Sequence, residues 1–275
     1  MRRIILTFIG LSLLSMPVMS QANWGFRGTI GAEKKIAKGF DAGLEARYQQ
    51  TDNFQNTDRW SVGIYMDKRL YRNEAKTFNV KASLGYKYMN VYNTWSTKYK
   101  GDAEGIESGL DPQYYVDNGY NFNLNNAYVG SRHRVTASVL AALELGRFKV
   151  SLRESYQYTH ADSAEYIKDK YRVEDGFWTI NSETDGKSPS NKEVLRSRIT
   201  LDYDIPHWKY DPFVSYELFN GINNGFKVDK SRITAGVDFS FNKMHNFEVA
   251  YMWQNQHDDD EPAGSFVCLS YKLEF

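Results

Sequence analysis

Eleven stretches of this chain alternate apolar and polar residues with a period of two, each for about ten residues, which marks β-strands whose two faces meet different surroundings. In residues 24–34 the even positions are Trp24, Phe26, Gly28, Ile30 and Ala32, against Arg27 and Glu33. Phe40, Ala42, Leu44, Ala46 and Tyr48 then alternate with Asp41, Glu45, Arg47 and Gln49. The scheme returns from Trp60, Phe78, Val135, Phe148, Leu195, Tyr210, Ile233, Phe247 and Val267 onward. The last stretch sets Val267, Leu269, Tyr271, Leu273 and Phe275 against Cys268, Ser270, Lys272 and Glu274. Strands of globular sheets average about five or six residues, whereas a tilted strand crossing a membrane needs roughly 9–11.

A soluble β-sandwich also alternates, and three features separate this chain from one. The stretches are long, their polar faces carry Arg and Glu at mid-strand, and aromatics gather near their ends (Trp24, Trp60, Tyr86, Tyr88, Tyr156, Tyr158, Tyr251, Trp253). The expected fold is all-β: a transmembrane antiparallel β-barrel of about 10–12 strands with long extracellular loops. Short links near residues 36–38, 72–77, 146–147, 206–209 and 242–245 alternate with longer ones at 51–58, 91–131, 159–193, 220–227 and 257–264. That is the asymmetry of short periplasmic turns and long outer loops. Eleven is an awkward count, because single-chain bacterial barrels have even numbers of strands. Either the Trp24 stretch is not a full wall strand, giving ten, or one strand is hidden, giving twelve. Glu154 falls on the lipid face, which points to a bulge or to a position near the interface.

A mean hydropathy of -0.60 suits such a barrel as well as a soluble protein, since only alternate residues need face lipid. The amino terminus reads as an export signal: Met1-Arg2-Arg3, an apolar run over residues 4–14, Pro17, then small residues at Ser20 and Ala22. Cleavage after Ser20 is expected, leaving a barrel over residues 21–275 in the outer membrane of a Gram-negative bacterium. Lone Cys268 excludes an internal disulfide. Balanced charge, 34 basic and 34 acidic residues, gives no support for a nucleic-acid partner. Expected partners are outer-membrane lipid and lipopolysaccharide, and the barrel-assembly machinery through the strand ending at Phe275.

Catalytic and metal chemistry are weakly signalled. His133, His160, His207, His245 and His257 stand in no metal-ligand spacing. His160 near Asp162, Ser163 and Glu165 could in principle serve a hydrolase. The His257-Asp258-Asp259-Asp260-Glu261 run, and Asp102, Glu104, Glu107 and Asp111, are acidic enough to interest calcium but lack the glycine-spaced loop. Solvated loops are the simpler reading, so neither a cofactor nor a metal is expected.

The polar faces carry the more informative set. Parity turns Arg47, Arg69, Arg132, Arg134, Arg153, Arg196, Arg198 and Arg232 inward, with Glu45, Asp67, Glu144, Asp202, Glu217, Asp238 and Glu248. In a narrow barrel such charges cross-link the walls, and in a wider one the arginines line an anion-favouring pore. The near balance of signs favours a mutually paired, largely filled lumen.

The stretch Gly31-Ala32-Glu33-Lys34-Lys35-Ile36-Ala37-Lys38-Gly39-Phe40, with Leu44-Glu45-Ala46-Arg47 and Asp58-Arg59-Trp60-Ser61, resembles the start of the domain-of-unknown-function 2490 barrels, found mostly in Bacteroidota. The resemblance spans most of the chain after the signal and implies an outer-membrane location. It brings no activity and no site residues. A non-enzymatic structural or surface-interaction barrel is therefore expected, with a narrow charge-selective channel and a lipid or peptide hydrolase as alternatives.

Overall fold

The computed structural model describes residues 23–102, 105–242, 244–256 and 262–275. The expected signal segment and the acidic run His257 to Glu261 lie outside the described residues.

In chain order the elements are β1 (Trp24–Ala37), β2 (Phe40–Thr51), β3 (Asn56–Arg72), β4 (Phe78–Asn93) and β5 (Ser96–Tyr99). A short helix α1 (Pro112–Asp117) precedes β6 (Phe122–Asn125), β7 (Tyr128–Leu145), β8 (Phe148–Ala161), β9 (Ala164–Glu174) and β10 (Phe177–Lys187). The chain continues through β11 (Ser190–Tyr203), β12 (Tyr210–Gly221), β13 (Lys227–Phe241), β14 (His245–Gln256) and β15 (Gly264–Glu274). Eleven of these close a barrel in the order β1-β15-β14-β13-β12-β11-β8-β7-β4-β3-β2.

The wall strands are the alternating stretches of the sequence. Their apolar faces point away from the lumen: Ile30, Leu44, Val62, Ile64, Met66, Leu84, Val139, Ile199 and Leu269 are all exposed on the outside. A continuous belt of this kind around a closed barrel is stable only against hydrocarbon. The wall is therefore a transmembrane barrel.

Neither ten nor twelve strands is the outcome. Alternating short and long connections make β1 and β15 run in the same direction. They pair in parallel from Trp24↔Ser265 to Glu33↔Glu274, so an eleventh strand closes the wall. Leaving two edges open in lipid would strand a row of backbone donors and acceptors, and a parallel ladder satisfies them. At the short-turn end, Gly39 (φ +71°) and Gly146 (φ +65°) supply the left-handed residues of the tight turns. Arg69 N–H donates to the Gly39 carbonyl there at 2.7 Å.

No bulge accommodates Glu154. It sits mid-strand in unbroken register, paired with Val139 on β7 and Ser197 on β11. Its carboxylate accepts the Ser197 hydroxyl at 2.6 Å, which gives a polar group on the lipid face a local partner.

The two longest connections are not bare loops. β5, β6, β9 and β10 form a separate sheet in the order β10-β9-β6-β5 at the long-loop end. It buries its own aromatic core, in which Tyr115 of α1 and Phe122 of β6 are fully buried. Phe122 stacks between Tyr115 (4.9 Å between centroids) and Tyr171 (4.5 Å), with Trp178 edge-on. Asp111 caps α1 by accepting the Gln113 N–H at 2.8 Å, and Pro112 opens the first turn. The Tyr115 hydroxyl donates to the Glu107 carbonyl at 2.6 Å, tying helix to loop.

Candidate functional site: the lumen

Three levels of side chains fill the barrel interior. Toward the long-loop end lies a buried layer to which every wall strand except β7 contributes. Its members include Arg27, Gln49, Arg59, Met89, Gln157, Val194, Phe219, Arg232, Met252, Gln254 and Phe266. Its polar members are paired in chains. Arg27 donates from Nε and Nη2 to Gln49 Oε1 (2.8 and 2.6 Å), and Gln49 Nε2 passes on to Asp58 Oδ2 (2.9 Å). Asp58 also takes Arg59 at 2.6 Å. On β13 and β14 Arg232 donates to Gln254 Oε1, whose amide reaches the Pro262 carbonyl. Phe219 is surrounded by cations, with Lys230 Nζ at 4.5 Å, Arg232 Cζ at 4.7 Å and Arg196 Cζ at 5.2 Å from its ring centre.

Below the layer lies a cavity of about 510 Å³, lined among the described residues by ten cationic side chains and five carboxylates. Two of the carboxylates are shared. Glu45 pairs with Lys87 at 2.7 Å and Arg47 at 3.3 Å. Glu217, almost fully buried, takes Arg196 (2.6 Å), Arg198 (2.5 Å) and Arg232 (3.5 Å). Tyr65 lies across Gly43 to donate to Glu33 at 2.9 Å. A Cβ at Gly43 would stand 2.3 Å from the Tyr65 ring, so the close approach requires glycine.

At the short-turn end carboxylates dominate. Asp211, Asp238 and Glu248 lie side by side on one rung across β12, β13 and β14. Asp202 lies nearby on β11 and meets Lys149 at 3.7 Å.

Of the charges that parity turns inward, Arg47, Arg134, Arg153, Arg196, Arg198, Arg232, Glu45, Asp67, Glu217 and Glu248 line the cavity. Arg69, Arg132, Asp202 and Asp238 do not line it and are half-buried toward the barrel ends, and Glu144 is exposed close to the short turn after β7. Lys87, Arg27 and Arg59 line it as well, and Asp58, which the sequence placed in the 51–58 link, is buried beside Arg59. The apolar lumen residues Met89, Phe219, Met252 and Phe266 carried no signal, because a large apolar side chain reads as lipid-facing by default.

The rim histidines come together in a way their spacing does not suggest. His133 and His160 are cross-strand partners and share Asp162, at 3.3 and 3.6 Å. His160 Nδ1 faces Asn191 Oδ1 at 2.7 Å, and no hydrogen bond joins it to Ser163 among the described residues. A nucleophile–base pair is therefore missing from this cluster. Among the described residues no group of three His, Cys, Asp or Glu side chains is arranged to hold a metal.

Fold and lumen together define a membrane-spanning β-barrel with a charge-lined interior. The chain belongs to the family described as "Protein of unknown function (DUF2490)", which matches residues 28–263. No curated protein matches it. Among solved structures it is similar to the translocator domain of the autotransporter NalP from Neisseria meningitidis, at 12% identity and a TM-score of 0.42, over 82% of this chain and 71% of that one. The β domain of the Bordetella autotransporter Brka gives 11% identity and a TM-score of 0.42, over 84% and 82%. An anion-selective porin from Comamonas acidovorans gives 9% and 0.24, over 88% and 83%. Scores this low carry no argument about what this chain does.

Proposed function

We propose that this chain is a non-enzymatic outer-membrane barrel of a Gram-negative bacterium, closed to the passage of solutes across the membrane, which displays a small structured sheet outside the cell as an interaction surface. The observation that carries this reading is the sheet β5-β6-β9-β10. It has its own aromatic core, stands on the long-loop end, and adds nothing to the wall. Long connections built into an ordered module suit recognition better than conduction. The buried layer beneath it supports a closed lumen, which weighs against the channel alternative. Lipopolysaccharide is the natural neighbour of the outer rim, and the exposed Phe275 beside Lys34 at 5.6 Å suits docking to assembly machinery.

Orientation is the testable core of this reading. Thr184 is exposed on β10 and Arg147 is exposed in a short turn. Thr184→Cys should react with a membrane-impermeant maleimide on intact cells, and Arg147→Cys only after lysis. Cys268 is buried and should stay silent in both. Labelling of Arg147→Cys on intact cells with Thr184→Cys protected would overturn the assignment.

A further inference from the structure

We propose that the lumen cavity is a binding site for a small oxyanion, phosphate or carboxylate in chemistry, held by Arg47, Lys87, Arg134, Arg153 and Arg198. Two rungs of the wall place like charges side by side: Arg153 faces Arg198 across β8 and β11, and Lys87 faces Arg134 across β4 and β7. Like charges directly opposite destabilise a sheet, and charges out of bulk water cost more unless compensated. For two of these arginines, Arg153 and Arg47, the compensation among the described residues is incomplete. Glu45 and Glu217 are each already shared among several cations. Arg153 makes no hydrogen bond or ion pair with the described residues, although its guanidinium borders the cavity. Arg47 Nε is buried with no hydrogen-bond partner. The cavity has the volume for a polyatomic anion with some of its water.

Arginine is suited to this task, since its planar fork matches two oxygens of a carboxylate or phosphate at once. The buried layer seals the long-loop side, so the anion comes from the short-turn end, past Lys272 and Glu33, which remain partly open to solvent. The wall bars lipid from the cavity, so the ligand is a soluble anion. The competitor inside the protein is Asp67, which lines the same cavity and makes no ion pair among the described residues.

The test is calorimetric titration of the full barrel in detergent at low ionic strength with inorganic phosphate, and separately with succinate, chloride serving as control. Saturable binding of either oxyanion over chloride is expected. Arg153→Gln should weaken it about tenfold or more, the loss of one charge-assisted contact. Asp67→Asn, which removes the competing carboxylate, should tighten it. Phosphate alone binding would indicate a phosphate-bearing ligand, and both binding would indicate oxyanions in general. Absence of binding by both, or an unchanged affinity in Arg153→Gln, overturns the site. So does binding that weakens in Asp67→Asn. Should Arg153→Gln fail to fold, the Asp67→Asn titration decides by itself.

Discussion

The wall and the outer sheet are built from the same kind of element in two different solvents. In the wall, Ile64 and Leu44 are 57% and 60% exposed, while Glu217 is 3% exposed. In the outer sheet the order is reversed: Phe122 and Tyr115 are 0% exposed, and the charges of the β9–β10 hairpin face water. The lesson is that period-two alternation identifies a strand but does not say which face is covered. That depends on whether hydrocarbon or water lies outside. In water the sheet must hide its aromatics against itself, and in lipid the wall can leave its apolar face bare.

If the comparison holds, damage to one region should leave the other standing. The largest effect is expected from Glu217→Gln, which strips the shared carboxylate from three arginines. Removing one partner of a buried ionic cluster costs about 3–5 kcal/mol. The barrel should lose its resistance to heat in gel mobility, while the outer sheet's protease fragment persists. Phe122→Ala should do the opposite. Deleting a buried ring costs about 3–5 kcal/mol, confined to the sheet, so hydrogen exchange should rise in β5, β6, β9 and β10 with barrel mobility unchanged. Ile64→Arg places a charge on the bare face and should lower refolding stability in lipid by about 2–4 kcal/mol if the site lies near mid-membrane.

The smallest effect is one of pH. In the β9–β10 hairpin, Lys168 donates to Asp185 at 2.7 Å and pairs with Glu183 at 2.9 Å, and Lys170 also binds Glu183. Bonds to Asp185 and then Glu183 hold Lys168 above its ordinary lysine value. Bonds from Lys170 and Lys168 hold Glu183 below its ordinary value, and that from Lys168 does the same for Asp185. Depressed carboxylates add stability above their unfolded pKa, roughly 4, and lose it as the pH falls through the lower folded value. Raised Lys168 adds its share below its unfolded value and loses it in strong alkali. Hairpin exchange should therefore be flat at neutral pH and rise only in acid below about 4. The change should be small and reduced by salt, because exposed pairs are screened.

The wall was legible in the sequence because lipid on one side and charge on the other force clean alternation, as in Phe40 to Gln49. The outer sheet was not, since β9 and β10 carry Lys168, Asp169, Lys170, Glu183 and Asp185 where a strand signal needs apolar residues. Their pairing is electrostatic and cross-strand, which a one-dimensional pattern does not reveal. Within the lumen, parity found the charges but not their depth. It could not show that Glu217 gathers three arginines while Arg153 gathers no carboxylate among the described residues. Closure by a parallel β1–β15 ladder was hidden for the same reason: strand polarity follows from counting turns, but pairing is a property of the closed circle.

Conductance in a planar bilayer tests the closed lumen most directly. With folding verified by heat-shifted gel mobility, the closed lumen proposed above requires that the wild-type barrel give no stepwise current past the buried layer around Phe219, Arg232 and Phe266. Reproducible open steps from the folded protein would contradict that, and would make the arginine-lined cavity part of a conducting path.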